Sequence, residues 1–335
     1  MAQQTNDLIL QKQIDAGTTG RQKGHQFEKK LSEEINKHST STLYPNDKIV
    51  NKKYLYNGKP DLYLISYIAK KKGITFNKVK CWWTGALATS GDGDILLDEN
   101  GNKVTHCKSD IIIDFYTKNG IKRIGVSVKS CNKSTPTNDQ MFFTTARAFC
   151  KLLNDNGITV SEEATKGLQM FCGDAGFRPS DLLSKEELSK RTSEDRRYFW
   201  EELDESVKKE WETIFKKHQN DISDLLFRKA YKNDPFPPEF LIHQTIKYED
   251  YNNCQFAIFT IEEIIVESAK YCGFVLVPYQ IKKGTYKNDN ATHYAPRFGF
   301  IQFQRGGQKQ HPTQLQFNLK AGYFNHIGEV FSLKK

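Results

Sequence analysis

Residues able to do chemistry concentrate around two short apolar runs. Asp110 opens the run Ile111-Ile112-Ile113-Asp114-Phe115-Tyr116, and Ser127 and Lys129 lie in the second, Ile124-Gly125-Val126-Ser127-Val128-Lys129. Side chains alternate along a strand, so Ser127 and Lys129 share one face while Val126 and Val128 point to the other. If the two runs form a hairpin, Asp110 comes beside the far end of the second arm. Phosphodiester hydrolysis asks for hard oxygen ligands around a cation, and for a positive group that orients water and holds developing negative charge. Asp110, Ser127 and the backbone carbonyl of Val128 are the candidate metal ligands, and Lys129 is the candidate catalytic lysine. The bare spacing is common, and a surface hairpin with solvated Asp and Lys satisfies it equally.

The elements that must position these groups follow from local pattern. The two runs are joined by Lys118-Asn119-Gly120-Ile121, and Asn-Gly between β-rich runs predicts a hairpin. Phe27, Leu31 and Ile35 recur at helical spacing. Leu62-Tyr63-Leu64-Ile65 reads as a short strand, residues 84–110 as a polar loop, and residues 139–155 as a helix carrying Phe142, Phe143, Ala146, Phe149, Cys150 and Leu153. From 180 to 232 the chain is charged and helical, with Trp200, Leu203, Val207, Trp211, Ile214 and Phe215 as a core-facing stripe. Phe256-Ala257-Ile258-Phe259 reads as a strand leading into Thr260-Ile261-Glu262-Glu263, a capping-box pattern. That helix ends near Gly273, and Phe274-Val275-Leu276-Val277 extends again. No linker or repeat divides the chain. The expected architecture is a single α/β domain, residues 21–335, behind a flexible segment 1–20. It has a central mixed sheet flanked by helices, a core at about 21–160 and a helical insertion at about 178–235.

Bulk properties narrow the partners. The 335 residues carry a formal net charge of +9, which suits a polyanion such as DNA. No apolar run is long enough to span a bilayer, and the opening residues lack the apolar stretch of a signal peptide. A cytoplasmic protein without membrane contact is expected. Seven cysteines (Cys81, Cys107, Cys131, Cys150, Cys172, Cys254, Cys272) lie far apart, which fits neither a zinc ribbon nor a disulfide framework. Glycine-rich phosphate loops, nucleotide fingerprints and Ser-His-Asp or Cys-His signatures are absent, which removes support for a metabolic enzyme with a basic surface.

Two segments suit base reading. From Asn290 onward six Lys/Arg face one acid, Glu329. Gln302/Gln304 and Gln316/Asn318 have strand spacing, with Arg305, Lys309 and Lys320 among them; amides contact adenine bidentately, and Arg and Lys read guanine. The region at about 290–325 is therefore the expected recognition region. Ser134, Thr135 and Thr137, in the loop after the lysine strand, are small polar groups suited to phosphates or base edges.

The chain resembles the type II restriction endonucleases of the MspI type, within the PD-(D/E)xK nucleases. The likeness rests on Lys108-Ser109-Asp110 followed by Val126-Ser127-Val128-Lys129-Ser130, on Lys217-His218-Gln219-Asn220-Asp221 through Phe227, and on the tail from Arg297-Phe298-Gly299-Phe300 to Leu315-Gln316-Phe317-Asn318. The resemblance implies that Asp110 binds metal, that Ser127 takes the second ligand position and that Lys129 is the catalytic lysine. It makes Glu28 an auxiliary acid from a helix beside the site. Thr137 falls near a base-contact position, and Gln316 and Asn318 become candidates for major-groove contacts. Ser130 stands where the family has His, so that role does not carry over. A hydroxyl at 127 is a poorer ligand than an acid or amide; a water, Glu28 or Asp114 would compensate, Asp114 lying roughly 13 Å along the strand from Asp110. His218 fits a structural role. The implied activity is metal-dependent, sequence-specific double-strand cleavage of unmethylated DNA at a short palindromic site. Mg2+ is the implied cofactor, with Mn2+ able to substitute, and a cognate DNA methyltransferase is the implied functional partner. The chain acts as a monomer or homodimer. A structure-specific or repair nuclease, and a non-catalytic DNA-binding protein with a degenerate core, remain as alternatives.

Overall fold

The computed structural model describes residues 25–38, 55–86, 95–131, 133–134, 138–228, 234–271, 273–279, 291–305 and 313–320. The first helix, α1, spans residues 25–35. After it come β1 (Leu55–Gly58), α2 (Pro60–Lys72), β2 (Lys78–Trp83), β3 (Ile111–Thr117), β4 (Gly120–Ser130) and β5 (Asp139–Thr144). Helices α3 (Ala146–Asp155), α4 (Glu162–Cys172), α5 (Pro179–Leu182), α6 (Lys185–Lys190), α7 (Glu205–Lys217) and α8 (Gln219–Arg228) follow. The chain then runs through β6 (Phe240–Gln244), β7 (Cys254–Thr260), α9 (Ile261–Ala269), β8 (Val275–Tyr279), β9 (His293–Phe298), β10 (Ile301–Arg305) and β11 (Leu315–Leu319).

The central sheet has strand order β1-β7-β6-β4-β3-β2. Its β4–β6 pair is parallel and its other pairs are antiparallel, so the expected mixed sheet is present. It is not complete within the first 160 residues, because β6 and β7 arrive after the helical region. Phe27, Leu31 and Ile35 of α1 and Leu64, Ile65 and Ile68 of α2 bury against one face, together with Ile111, Ile113, Val126 and Val128. The other face contributes Leu241, Ala257 and Phe259 to a larger core built from α3, α4, α7, α8, α9 and a second sheet. That second sheet is five-stranded and antiparallel, in the order β5-β11-β10-β9-β8. Trp200, Leu203, Val207, Trp211, Ile214 and Phe215 are all buried there, but only Val207 to Phe215 share a helix, α7. Trp200 lies in the 3-10 turn Trp200–Glu202 and Leu203 follows it in extended backbone, so the expected continuous helix is broken.

Two local readings are corrected. Leu62–Ile65 is helical, within α2; Pro60 starts that helix and Gly73, at φ 60°, ends it in the left-handed region. Residues 139–155 divide at Thr145: Asp139–Thr144 is a strand, and Thr145 Oγ1 caps α3 by accepting from the Ala148 amide. The capping box at Thr260/Glu263 forms as read, with both reciprocal hydrogen bonds. The β3–β4 hairpin also forms. Its turn is Lys118-Asn119, closed by Gly120 at φ 108° and by the Thr117 hydroxyl donating to the Gly120 carbonyl.

Candidate functional site

The site lies where β3 begins and β4 ends. The hairpin register pairs Ile111 with Val126, so one step outward Asp110 stands opposite Ser127, and the Asp110 amide donates to the Val126 carbonyl at 3.0 Å. Past that point β4 runs on beside β6, with Lys129 opposite His243. The Asp110 carboxylate is thereby held at the strand end. Its Oδ2 accepts from the Val128 amide at 2.7 Å, the Ser127 hydroxyl at 3.0 Å and the Lys129 ammonium at 3.3 Å. Lys129 also donates to its neighbour's carbonyl, Val128 O, at 3.2 Å. Val128 itself anchors the strand in the core. The expected alternation is thus what delivers the lysine. Ser127 is placed differently from a free second ligand: its hydroxyl is buried and spent on Asp110.

Glu28 joins the group from α1. Phe27 and Leu31 fix that helix on the sheet, and Glu28 Oε2 accepts from the Trp83 indole at 3.1 Å at the end of β2. Burial, and then the charge of Asp110, push the Glu28 carboxyl up to about 7, against the opposing pull of Trp83 and Lys129. Burial alone would lower Lys129, but Asp110, Glu28 and Asp139 outweigh it and hold the ammonium above the ordinary lysine value. Two carboxylates and one ammonium therefore share a poorly solvated pocket. Asp114 does not compensate for Ser127. It is buried on β3, bound by Arg123 through two hydrogen bonds (2.6 and 2.7 Å) and by the Trp82 indole at 3.0 Å; a carboxylate committed to a guanidinium has no lone pairs aimed at the site.

Sequence spacing missed two further contributors. Lys108 precedes Asp110 and its ammonium donates to the Met141 carbonyl of β5 at 2.7 Å. Burial and then the Lys129 charge push it down to about 8, with Asp110 and Asp234 opposing. His243, fully buried beside Lys129 on β6, hydrogen-bonds Asp139 at the start of β5. The signal for Lys108 is its place in the Lys108-Ser109-Asp110 motif, two residues before Asp110; nothing local marks Asp139 or His243, because their contact is between strands far apart in sequence. Both contacts fasten β5, an edge of the second sheet, to the segments that carry the candidate site.

The candidate recognition residues fall on that second sheet. Gln302 stands directly opposite Asn318, and Gln304 opposite Gln316, across β10 and β11. All four amides therefore share one face, as their spacing requires. Lys320 extends the same face, its amide donating to Phe300 O. Arg305 does not belong with them. It pairs opposite Leu315, on the core face, and its guanidinium donates to Glu194 at 3.0 Å. On β5, Phe143 pairs with Gln316 and is exposed. Ser134 is exposed in the connection from β4 to β5. Thr135, Thr137 and Lys309 lie outside the described residues. His218 ends α7 and pairs with Asp221 at 3.2 Å, remote from these groups in the contacts it makes.

Among the described residues no cluster of three or more His, Cys, Asp or Glu side chains is arranged to hold a metal, and no helix is long and apolar enough to cross a membrane. No protein-family model matches the chain, and no curated protein matches it. Among solved structures, the chain is similar in course to the restriction endonuclease MspI, crystallised in complex with its cognate DNA, over 91% of this chain and 92% of that one, with 11% sequence identity and a TM-score of 0.46.

Proposed function

We propose that this chain is a Mg2+-dependent type II restriction endonuclease. The observation that carries the reading is the convergence of Asp110, Glu28, the Val128 strand and Lys129 at one end of the central sheet, bonded through Met141 and Asp139 to a second sheet that presents a row of amides. The donor set fits a hard cation. Burial first, and then the charge of Asp110, raise the Glu28 carboxyl to about 7, and the Val128 carbonyl is a further oxygen beside them. Mg2+ takes one or two carboxylates, keeps several waters and binds through substrate phosphates, so three clustered acids are not needed. Asp110 and Glu28 would hold the ion, with Val128 O beside them, and Mn2+ would substitute. When bound, the ion supplies an activated water and neutralises phosphate charge.

The chain's own residues do the rest. Ser127 and the Val128 amide fix the Asp110 carboxylate, so that it is aimed before substrate arrives. Lys129 stays charged because three acids surround it, and places its ammonium where a phosphate oxygen or a water would be held. The amides of β10 and β11 read base edges, which favours a sequence-specific enzyme over one that cuts by structure. A short palindromic site in double-stranded DNA, with a cognate methyltransferase protecting the host, is the corresponding biology, and the cytoplasm the corresponding place.

The test is digestion of an unmethylated plasmid of known sequence. Discrete bands that require Mg2+ or Mn2+ and share one sequence at the mapped ends are expected. A smear would point to a non-specific nuclease. Tight binding without any cleavage would leave the non-catalytic reading, which Ser127 in place of an acid or amide favours.

A further inference from the structure

Among the described residues two arginines are buried, Arg197 and Arg297, and Arg123, Arg191 and Arg305 are partly buried; of these, all but Arg297 have an acidic partner. Arg123 binds Asp114 at 2.6 Å, Arg191 binds Glu202 at 2.7 Å, Arg197 binds Glu194 at 2.8 Å and Arg305 binds Glu194 at 3.0 Å. Arg297 is 8% exposed and has no hydrogen bond or ion pair among the described residues. Its surroundings make the omission worse. β9 pairs Arg297 with Gln302, and β10 pairs Gln302 with Asn318, so the three stand in one row across three strands on one face. Burial first, and then the nearby charge of Arg297, push down the ammonium pKa of Lys320, two residues past Asn318. A second cation is therefore a charged neighbour of Arg297. Gln302 and Gln316, each 8% exposed, also make no side-chain hydrogen bond there. These side chains are recessed with no protein partner, yet their polar atoms are not among the fully buried orphaned ones, so their donors and acceptors stay open to a ligand at the surface of the sheet.

The geometry points to Arg297 as a specificity-determining residue that reads guanine, with Lys320 adding a second donor toward the acceptor-rich guanine edge. This rests on the DNA-cleaving reading above. The guanidinium fork matches the O6 and N7 acceptors of guanine, and the four amides beside it match adenine edges. A phosphate contact is the less suitable occupant. Arg297 is recessed on β9, an inner strand between β8 and β10, and is in line with uncharged amides. Phosphates meet cations at the rim of a groove, not on its floor. Register is protected by Gly299, at φ 50°, in the tight β9–β10 turn, where a Cβ would sit 2.1 Å from Ser268 Oγ.

The test uses the full chain and Arg297→Met, which keeps an apolar stem and removes the charge. Two readouts are taken. Thermal melting without DNA is expected to be unchanged or raised, because no hydrogen bond or ion pair among the described residues is lost with the recessed guanidinium. Selection from a pool of randomised duplexes is expected to give the wild-type consensus with one G·C position relaxed by roughly tenfold or more and the other positions retained. Lowered melting with the consensus intact would make Arg297 structural and overturn the inference. So would a uniform loss across all sequences with a salt slope reduced by about one, the mark of a phosphate contact. Arg297→Lys serves as the second variant: it keeps the charge, and should relax the same position because an ammonium cannot make the forked contact. A wild-type chain that selects no sequence sinks the endonuclease reading and this inference together, whereas unaltered selection in both variants sinks this inference alone.

Discussion

Glu28 offers a test in which the candidate site reveals itself through stability rather than activity. Its carboxyl is raised from 4.5 to about 7, first by burial and then by Asp110. A raised acid disfavours the charged form in the folded chain. Below about pH 4.5 both folded and unfolded chains carry the proton and nothing is lost. Between about 4.5 and 7 the folded chain binds more protons than the unfolded one, so stability falls as pH rises, and above 7 the full cost is present. At 1.36 kcal/mol per unit that cost is about 3 kcal/mol at pH 8 and below about 1 kcal/mol at pH 5. Glu28→Gln keeps the size and an oxygen for the Trp83 indole but cannot ionise. Urea unfolding in EDTA should therefore show the variant gaining on the wild type between pH 5 and pH 8, by up to about 2–3 kcal/mol. Asp110→Asn should shrink the pH dependence contributed by Glu28, because it removes the second cause of that raised carboxyl, while overall stability falls with the loss of the Lys129 partner. Adding Mg2+ at pH 8 should narrow the gap, because a cation between the carboxylates offsets their repulsion. An equal difference between variant and wild type at both pH values would refute the reasoning, as would a variant that loses ground at pH 8.

Lys129→Ala should abolish plasmid cleavage while duplex binding, followed by gel shift, persists; cutting at the wild-type rate would remove Lys129 from the site. Asp114→Asn should destabilise the fold by about 3 kcal/mol in urea, because it leaves the Arg123 guanidinium without its buried partner, and Mg2+ affinity measured by calorimetry should not change. Gly299→Ala should cost about 2 kcal/mol in thermal melting, given the left-handed backbone and the Ser268 and Gln219 atoms at 2.1 and 2.6 Å from the new Cβ. It should also loosen sequence selection before it alters metal binding.

Alternation along a strand is a local property, and it made much of this protein legible. It placed Ser127 and Lys129 on one face and Val126 and Val128 in the core, and it put Gln302 with Gln304 and Gln316 with Asn318. Helical periodicity likewise found α1 and the α7 part of the tryptophan stripe, and the capping box marked the start of α9. Short apolar runs were ambiguous. Leu62–Ile65 has no period long enough to separate strand from helix, and the decision lay with Pro60 and Gly73 at its ends. Asp139–Thr144 became a strand because it pairs with β11, far along the chain. Tertiary structure alone decided the rest: that the two amide pairs lie face to face, that Arg305 turns inward to Glu194 while Arg297 joins the amides, and that Lys108 and the Asp139–His243 pair tie β5 to the segments of the candidate site. The carboxyl of Glu28 is the sharpest case. Its residue type and helix were visible in the sequence, but its proton affinity depends on desolvation and on a charge brought from β3. Pairing and solvent exclusion between distant segments are set by packing, and no local period encodes them.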